Sequence, residues 1–158
     1  MCGKSTGYAL ISIDQMWYKI HYPTYFWYVK AKYALNEMDT LKYSKLAALD
    51  GTIVMLPHVN YSARVSIRKV DGEVVLQQGT NLLKGVGLKT AELIEEERNR
   101  GGIFKNYDDF YDRCVETKIV NKRVFEILLE HGAAEFNKKT YLKRVVKYNS
   151  SLIAGGRK

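Results

Sequence analysis

The spacing of apolar side chains divides the chain into a helical opening, a short strand-like stretch and a second helical half. Residues 8–20 are apolar on most faces and predict a largely buried helix. Pro23 is placed to start the next helix, where its missing N–H costs nothing. That helix is expected over 24–38, and a third from about Thr40 to Asp50, with Gly51 ending it. Residues 53–56 form an apolar run stopped by Pro57, compatible with a buried strand. Residues 63–70 and 73–78 flank Asp71-Gly72, a dipeptide favoured in two-residue hairpin turns because both positions need positive φ.

Beyond residue 80 the helical period returns. Residues 80–84 make a short helix or a turn, and Gly85-Val86-Gly87 precedes a helix over 88–100 that Gly101-Gly102 ends. Asn106, with Asp109 three residues on, has the form of a capped helix start. Asn121 caps a helix over 122–131, which Gly132 terminates. Residues 138–148 predict a basic amphipathic helix with Leu142, Val145 and Val146 as its apolar stripe, and the end from Ala154 is expected to fray. The fold class is mainly α with one small β-hairpin. No stretch approaches ~18 consecutive apolar residues, so no membrane-spanning helix is expected. The first residues lack the charged-then-apolar order of a secretory signal.

The informative stretch is Leu82-Leu83-Lys84-Gly85-Val86-Gly87-Leu88-Lys89-Thr90-Ala91. Two glycines one residue apart permit a tight turn between helices and let backbone approach a ligand with no Cβ in the way. The N–H groups of Gly85, Val86 and Gly87 then sit at the positive end of the following helix dipole, a natural anion site. Lys84 and Lys89 add charge, Thr90 adds a hydroxyl, and Ala91 is small where helices pack closely. This is the form of a helix-hairpin-helix, which holds duplex DNA by its phosphates without reading bases. The bland alternative is a tight helix-to-helix turn with no ligand. A second, glycine-free copy stands at Ile119-Val120-Asn121, with Lys118, Lys122 and Arg123 clustered at the next helix start. Two readings stand there: a second phosphate contact, or a packing helix whose start is basic.

The order of features resembles the bacterial DNA polymerase III alpha subunit, the C-family replicative polymerase. Tyr8-Ala9-Leu10-Ile11-Ser12, Tyr18-Lys19 and His21-Tyr22-Pro23 are similar to that family's late fingers region. Leu56-Pro57-His58-Val59-Asn60-Tyr61-Ser62 resembles its Pro-x-x-Asn-x-Ser segment, and Leu83-Lys84-Gly85-Val86-Gly87 its helix-hairpin-helix signature. Gly102-Ile103-Phe104, Asp109-Phe110, Arg113 and 121–133 are similar to the family's stretch C-terminal to that signature. The likeness runs from about residue 4 to 136. It implies fingers-like helices over 1–58, a β-hairpin connector over 59–79, a tandem helix-hairpin-helix module over 80–136 and a basic C-terminal helix and tail over 137–158. The family's catalytic palm aspartates lie before the matched region, so Mg2+ would belong to a part absent from this sequence, and no cofactor is expected in this chain beyond a monovalent cation at the hairpin. The implied partners are double-stranded primer-template DNA and another polymerase fragment or replisome protein, with no membrane, in the cytoplasm of a bacterium or phage-infected host. The resemblance implies a truncated or split polymerase, or a relic of one. A freestanding DNA-binding adaptor docking a protein through the aromatic N-terminal helices is the alternative, and an independent nuclease lacks a recognisable metal site.

Charge then changes the picture. The 158 residues carry a net charge of +8 and 12 tyrosines, a balance that points towards nucleic acid. Its distribution points elsewhere: 80–136 hold nine basic and eleven acidic residues, whereas 137–158 hold seven basic and none acidic. Glu92 and Glu95 to Glu97 therefore predict a helix that turns its far side from DNA. Other signals carry less. Gly3-Lys4-Ser5-Thr6 imitates a phosphate loop without its upstream glycine and strand. Asp108, Asp109 and Asp112 suit a helix's first turn better than a metal. His21, His58 and His131 have no ligand spacing. Tyr25 to Tyr28 cover every face of a helix, which favours core over base stacking. Two cysteines, Cys2 and Cys114, fit a reducing compartment. Cys2 as a split-intein nucleophile is less favoured than a free thiol.

Overall fold

The computed structural model describes residues 2–155, with side chains from Lys4 onward. The elements are α1 (Cys2–His21), α2 (Pro23–Lys32), α3 (Glu37–Leu49), β1 (Val54–Met55), β2 (Ser66–Val70), β3 (Glu73–Gln77), a 3-10 turn (Thr80–Leu82), α4 (Leu88–Gly101), α5 (Tyr107–Phe110) continuing as a π-helical stretch (Tyr111–Glu116), α6 (Lys122–Glu130) and α7 (Lys138–Gly155). The fold is mainly α with a small sheet, as expected. Among the described residues no helix is long and apolar enough to cross a membrane. Cys2's side chain and residues 156–158 lie outside the described residues, and with them the Cys2 readings and the end of the tail.

Local chemistry accounts for most boundaries. Pro23 opens α2. Asp71 and Gly72 both take positive φ, 50° and 91°, and join β2 to β3 in register Val70↔Glu73. Asn106 and Asn121 accept from the N–H groups of Asp109 and Val124, at 2.9 and 2.8 Å.

Several expectations fail for identifiable reasons. α2 stops at Lys32 instead of Met38, because Asn36 caps α3 by accepting from the Asp39 N–H at 2.8 Å. The hairpin gains a third strand: β1 pairs parallel with β3, giving the order β1-β3-β2. Strand β2 starts at Ser66, since Ala63 is spent on packing and on accepting from the Asn81 N–H. There the backbone of Gly79 presses on Ala63 and Arg64, where an added Cβ would lie 2.4 Å from backbone atoms. The largest failure is α1. It runs the full length from Cys2 and is exposed, with Leu10, Ile13 and Ile20 at 59%, 61% and 70%. The apolar run has no covering element among the described residues.

α7 is longer than expected and is a structural element. Its buried stripe is Tyr141 and Val145, continued by half-buried Tyr148 and Leu152, whereas Val146 points to solvent. Asn149 pairs its side-chain amide with β1, accepting from the Val54 N–H at 3.1 Å and donating to the Val54 carbonyl at 2.8 Å. The Tyr141 hydroxyl donates to the Leu56 carbonyl at 2.7 Å. So α7 covers the sheet edge that β1 would expose. Val54 and Leu76 face the Trp27, Ala47 and Ala48 cluster of α2 and α3, while Met55 and Val75 face Tyr141 and Val145.

A third cluster, centred on Phe104, Phe110, Phe125, Ile94 and Leu128, fills the C-terminal half and is joined to the sheet by 57–62. The Val59 N–H donates to the Ala133 carbonyl at 2.8 Å. Asn60 pairs its amide with Phe104, accepting from the N–H and donating to the carbonyl, both at 2.8 Å. His58 is buried; its Nδ1 accepts from the Asn60 N–H at 3.0 Å, so its Nε2–H donates to the Glu135 carbonyl at 2.8 Å. That tautomer is neutral, and burial holds the imidazole below its usual pKa despite the Glu135 contact. A depressed histidine contributes stability that is complete above its unfolded pKa of about 6.5 and lost as pH falls through the folded value. Urea unfolding of wild type should therefore show a lower midpoint at pH 5.5 than at pH 7.5. His58→Gln should reduce that difference. A wild-type midpoint no more pH-sensitive than the variant's would refute the role of His58.

Candidate nucleic-acid interface

Two helix–turn–helix units share the C-terminal core. In the first, the 3-10 turn leads through 83–87 into α4; in the second, the π-helical end of α5 leads through 117–121 into α6. Their helix starts correspond. Gly87 and Asn121 are the N-caps, Val86 and Val120 the buried residues before them, Ala91 and Phe125 lie four residues after, and Ile94 and Leu128 seven after. The small Ala91 admits close packing, as expected.

The turns differ in what their backbone requires. Gly85 has φ +97°, and a Cβ there would lie 2.7 Å from Ile127 Cδ1 on α6. The left-handed backbone favours glycine there, and a larger residue would also have to push the end of Ile127 aside. In the glycine-free second unit the left-handed position falls on Lys118, at φ +62°. A lysine in that region carries roughly 1–2 kcal/mol of strain. Gly87 is different: its φ is −67°, and a Cβ would meet nothing within 4 Å. Nothing in the fold requires glycine at that exposed position.

The expected site residues divide between the two turns. Lys84, Gly85, Gly87 and Lys89 are exposed and Thr90 half-buried around the first turn. Val86 departs from its expected role. It is buried and its N–H donates to the Leu83 carbonyl at 2.9 Å, closing the turn, so it is no free donor. The free donors extend instead into the helix: among the described residues the N–H groups of Gly85, Gly87, Leu88 and Lys89 have no acceptor. Side-chain chemistry gives no sign of Leu88, because what it offers there is a free backbone N–H. Lys118, Lys122 and Arg123 are exposed at the second turn. Arg123 lies one helical turn before Ile127, the residue against Gly85, so the two units meet along that face of α6.

The acidic residues of α4 are largely neutralised. Glu92 bonds Arg64 at 2.8 Å, Glu95 bonds Arg98 at 2.9 Å, and buried Glu97 bonds Arg100 and, at 3.1 Å, Arg113. Burial opposes ionisation of Glu97, but Arg113 and Arg100 outweigh it and hold the carboxyl below its usual range. Arg98, Arg100 and Arg113 already count among the module's basic residues, so only Arg64, from outside it, offsets the formal excess of acid.

The weaker signals of the sequence find ordinary roles. Lys4-Ser5-Thr6 lies within α1, so it forms no loop. Asp109 accepts from the Lys105 N–H at 2.9 Å, a capping contact. Of the four aromatics at 25–28, Trp27 is buried, Phe26 and Tyr28 are half-buried and Tyr25 is exposed. Burial pushes the Cys114 thiol up to about 12, so it is protonated and unreactive at neutral pH.

Comparison with known proteins agrees with this geometry. Residues 51–141 match the family described as helix-hairpin-helix motif. The chain is 35% identical over 147 residues to DNA polymerase III subunit alpha of Aquifex aeolicus, covering 93% of this chain and 12% of that protein. It is 36% identical over 132 residues to the Thermus aquaticus subunit and 34% over 136 to that of Escherichia coli, covering 83% and 82% of this chain. It spans about a tenth of the length of each, 10% and 11% for these two.

Proposed function

Because the chain belongs to the helix-hairpin-helix family, we propose that it holds duplex primer-template DNA by its phosphate backbone as part of a C-family replicative polymerase. The observation that carries the reading is the set of unsatisfied N–H groups of Gly87, Leu88 and Lys89 at the exposed head of a 14-residue helix. Lys84 and Lys89 add charge beside them, and Lys118, Lys122 and Arg123 make the second contact. A phosphate oxygen approaching Gly87 meets no side chain, which gives its glycine a reason that the fold lacks. Lys84, Gly85 and Val86 also present carbonyls that accept no N–H among the described residues, oxygen ligands of the class a monovalent cation takes. Such an ion would supply positive charge facing the same phosphate. The phosphodiester chemistry would rest with aspartates outside these residues, and the work would be done in the cytoplasm.

Binding should be measured by fluorescence anisotropy on a labelled primer-template over a salt series. Hydrogen bonds to charged groups contribute about 1.5–3 kcal/mol, so Gly87→Ala should weaken binding by about ten- to a hundredfold without lowering the thermal midpoint. Lys118→Gly should weaken binding and raise the midpoint, since it removes a charge and relieves left-handed strain. Wild-type affinity in Gly87→Ala would remove the hairpin from the interface.

A protein partner is supported by a separate observation, the exposed Leu10, Ile13 and Trp17 on one face of α1. We propose that a palm-bearing segment of the polymerase covers this face. Mixed with such a fragment of a polymerase III alpha subunit, the chain should co-elute from a sizing column, and Leu10→Asp/Ile13→Asp should not. Separate elution of the wild type would refute the assignment.

A further inference from the structure

We propose that α7 carries a second binding site for DNA phosphates, the row Lys139, Lys143 and Lys147. The inference rests on the DNA-binding reading above and extends it to an element outside both hairpin units. The three lysines are spaced by four residues, so they lie along one face of the helix about 6 Å apart. All three are exposed, opposite the stripe formed by Tyr141, Val145, Tyr148 and Leu152.

The row is held rigidly. Asn149 and Tyr141 bind α7 to β1 and Leu56, and the Arg144 guanidinium donates to the carbonyl of His131, the C-cap of α6. The lysines therefore keep a fixed place relative to the helix that bears Lys122 and Arg123. They also lack counterions. The ion pairs among the described residues involve Lys19, Arg64, Arg98, Arg100 and Arg113, none of them on α7, and α7 has no acidic residue. Like charges four residues apart destabilise a helix by about 0.2–0.5 kcal/mol per pair. A polyanion converts that repulsion into attraction through counterion release.

The choice between DNA and an anionic membrane is decided by the opposite face. A helix lying in a bilayer surface inserts its apolar side. On α7 that side is occupied by the sheet, with Tyr141 and Val145 buried. What remains outward is a line of cations with the exposed apolar Val146 beside it, which suits a phosphate backbone better than a bilayer.

The test compares salt slopes of full-chain binding to duplex primer-template for wild type, Lys139→Gln/Lys143→Gln/Lys147→Gln, Lys42→Gln/Lys45→Gln/Lys69→Gln and Gly87→Ala. Each lost phosphate contact should reduce the log–log slope by about 0.9, so the α7 triple should lose about two to three. The control triple, drawn from exposed lysines elsewhere, should keep the wild-type slope. Because the α7 lysines are exposed and mutually repulsive, their removal should leave the thermal midpoint unchanged or higher. An unchanged slope in the α7 triple, with Gly87→Ala still weakened, would overturn the row and leave the hairpin reading standing. Equal losses in both triples would overturn it as an effect of net charge. Unchanged DNA binding by the α7 triple, together with loss of binding to phosphatidylserine vesicles, would reassign the row to a membrane surface. Failure of wild type to bind DNA would remove the hairpin reading and the row together.

Discussion

The arrangement turns on the amide pair between Asn60 and the backbone of Phe104. Residues 57–62 run between the sheet and the hairpin module, and this pair stitches them to the loop after α4. His58 and Val59 add bonds to Glu135 and Ala133 at the far side of the same module. Phe104 and Ala133 are buried, so there an unmade bond would cost about 1–3 kcal/mol. The Pro-x-x-Asn-x-Ser pattern is thus a brace: it fixes where the two turns sit relative to the sheet. The register β1-β3-β2 and the clasp of Asn149 on Val54 complete the frame from the other end.

Within that frame the two glycines of one short motif divide the labour. Gly85 serves the fold, because its left-handed backbone disfavours any side chain and a Cβ there would have to displace the end of Ile127. Gly87 serves the surface, because its backbone would accept any residue and the space beside it is open. The contrast with Lys118 sharpens this. The second unit shows that the chain can form such a turn without glycine, by placing strain on a lysine that stands at the proposed interface.

Much of this is legible in the sequence where the cause is local. Asp71-Gly72, Pro23, Asn106 and Asn121 act on their own neighbours, so their residue types declare the element. Asn36 acts locally too, yet the helical spacing expected over 24–38 runs straight through it. The parallel pairing of Val54 with Leu76 and the clasp of Asn149, 95 residues from Val54, join distant parts of the chain, and no periodicity reports them. For α1 the apolar pattern gives the helix but not its burial, because residues 8–20 stay exposed and no described element packs over them. At the hairpin, residue types point to Lys84 and the glycines. The free N–H of Leu88 and the N–H of Val86, which the turn consumes, are visible only in the geometry. For α7 the basic amphipathic helix is legible, but its buried stripe is Tyr141 and Val145 rather than Val146, and only that fixes which lysines face outward.

The proposed phosphate site is the row of unsatisfied backbone N–H groups at 87–89. Amide NMR of the isotope-labelled chain titrated with duplex primer-template at low salt tests it most directly. The amide resonances of Gly87, Leu88 and Lys89 should shift downfield with the same midpoint, with Val86 and the α1 amides moving little. A titration that saturates with 87–89 unmoved, or with shifts confined to α1 and α2, would contradict the account.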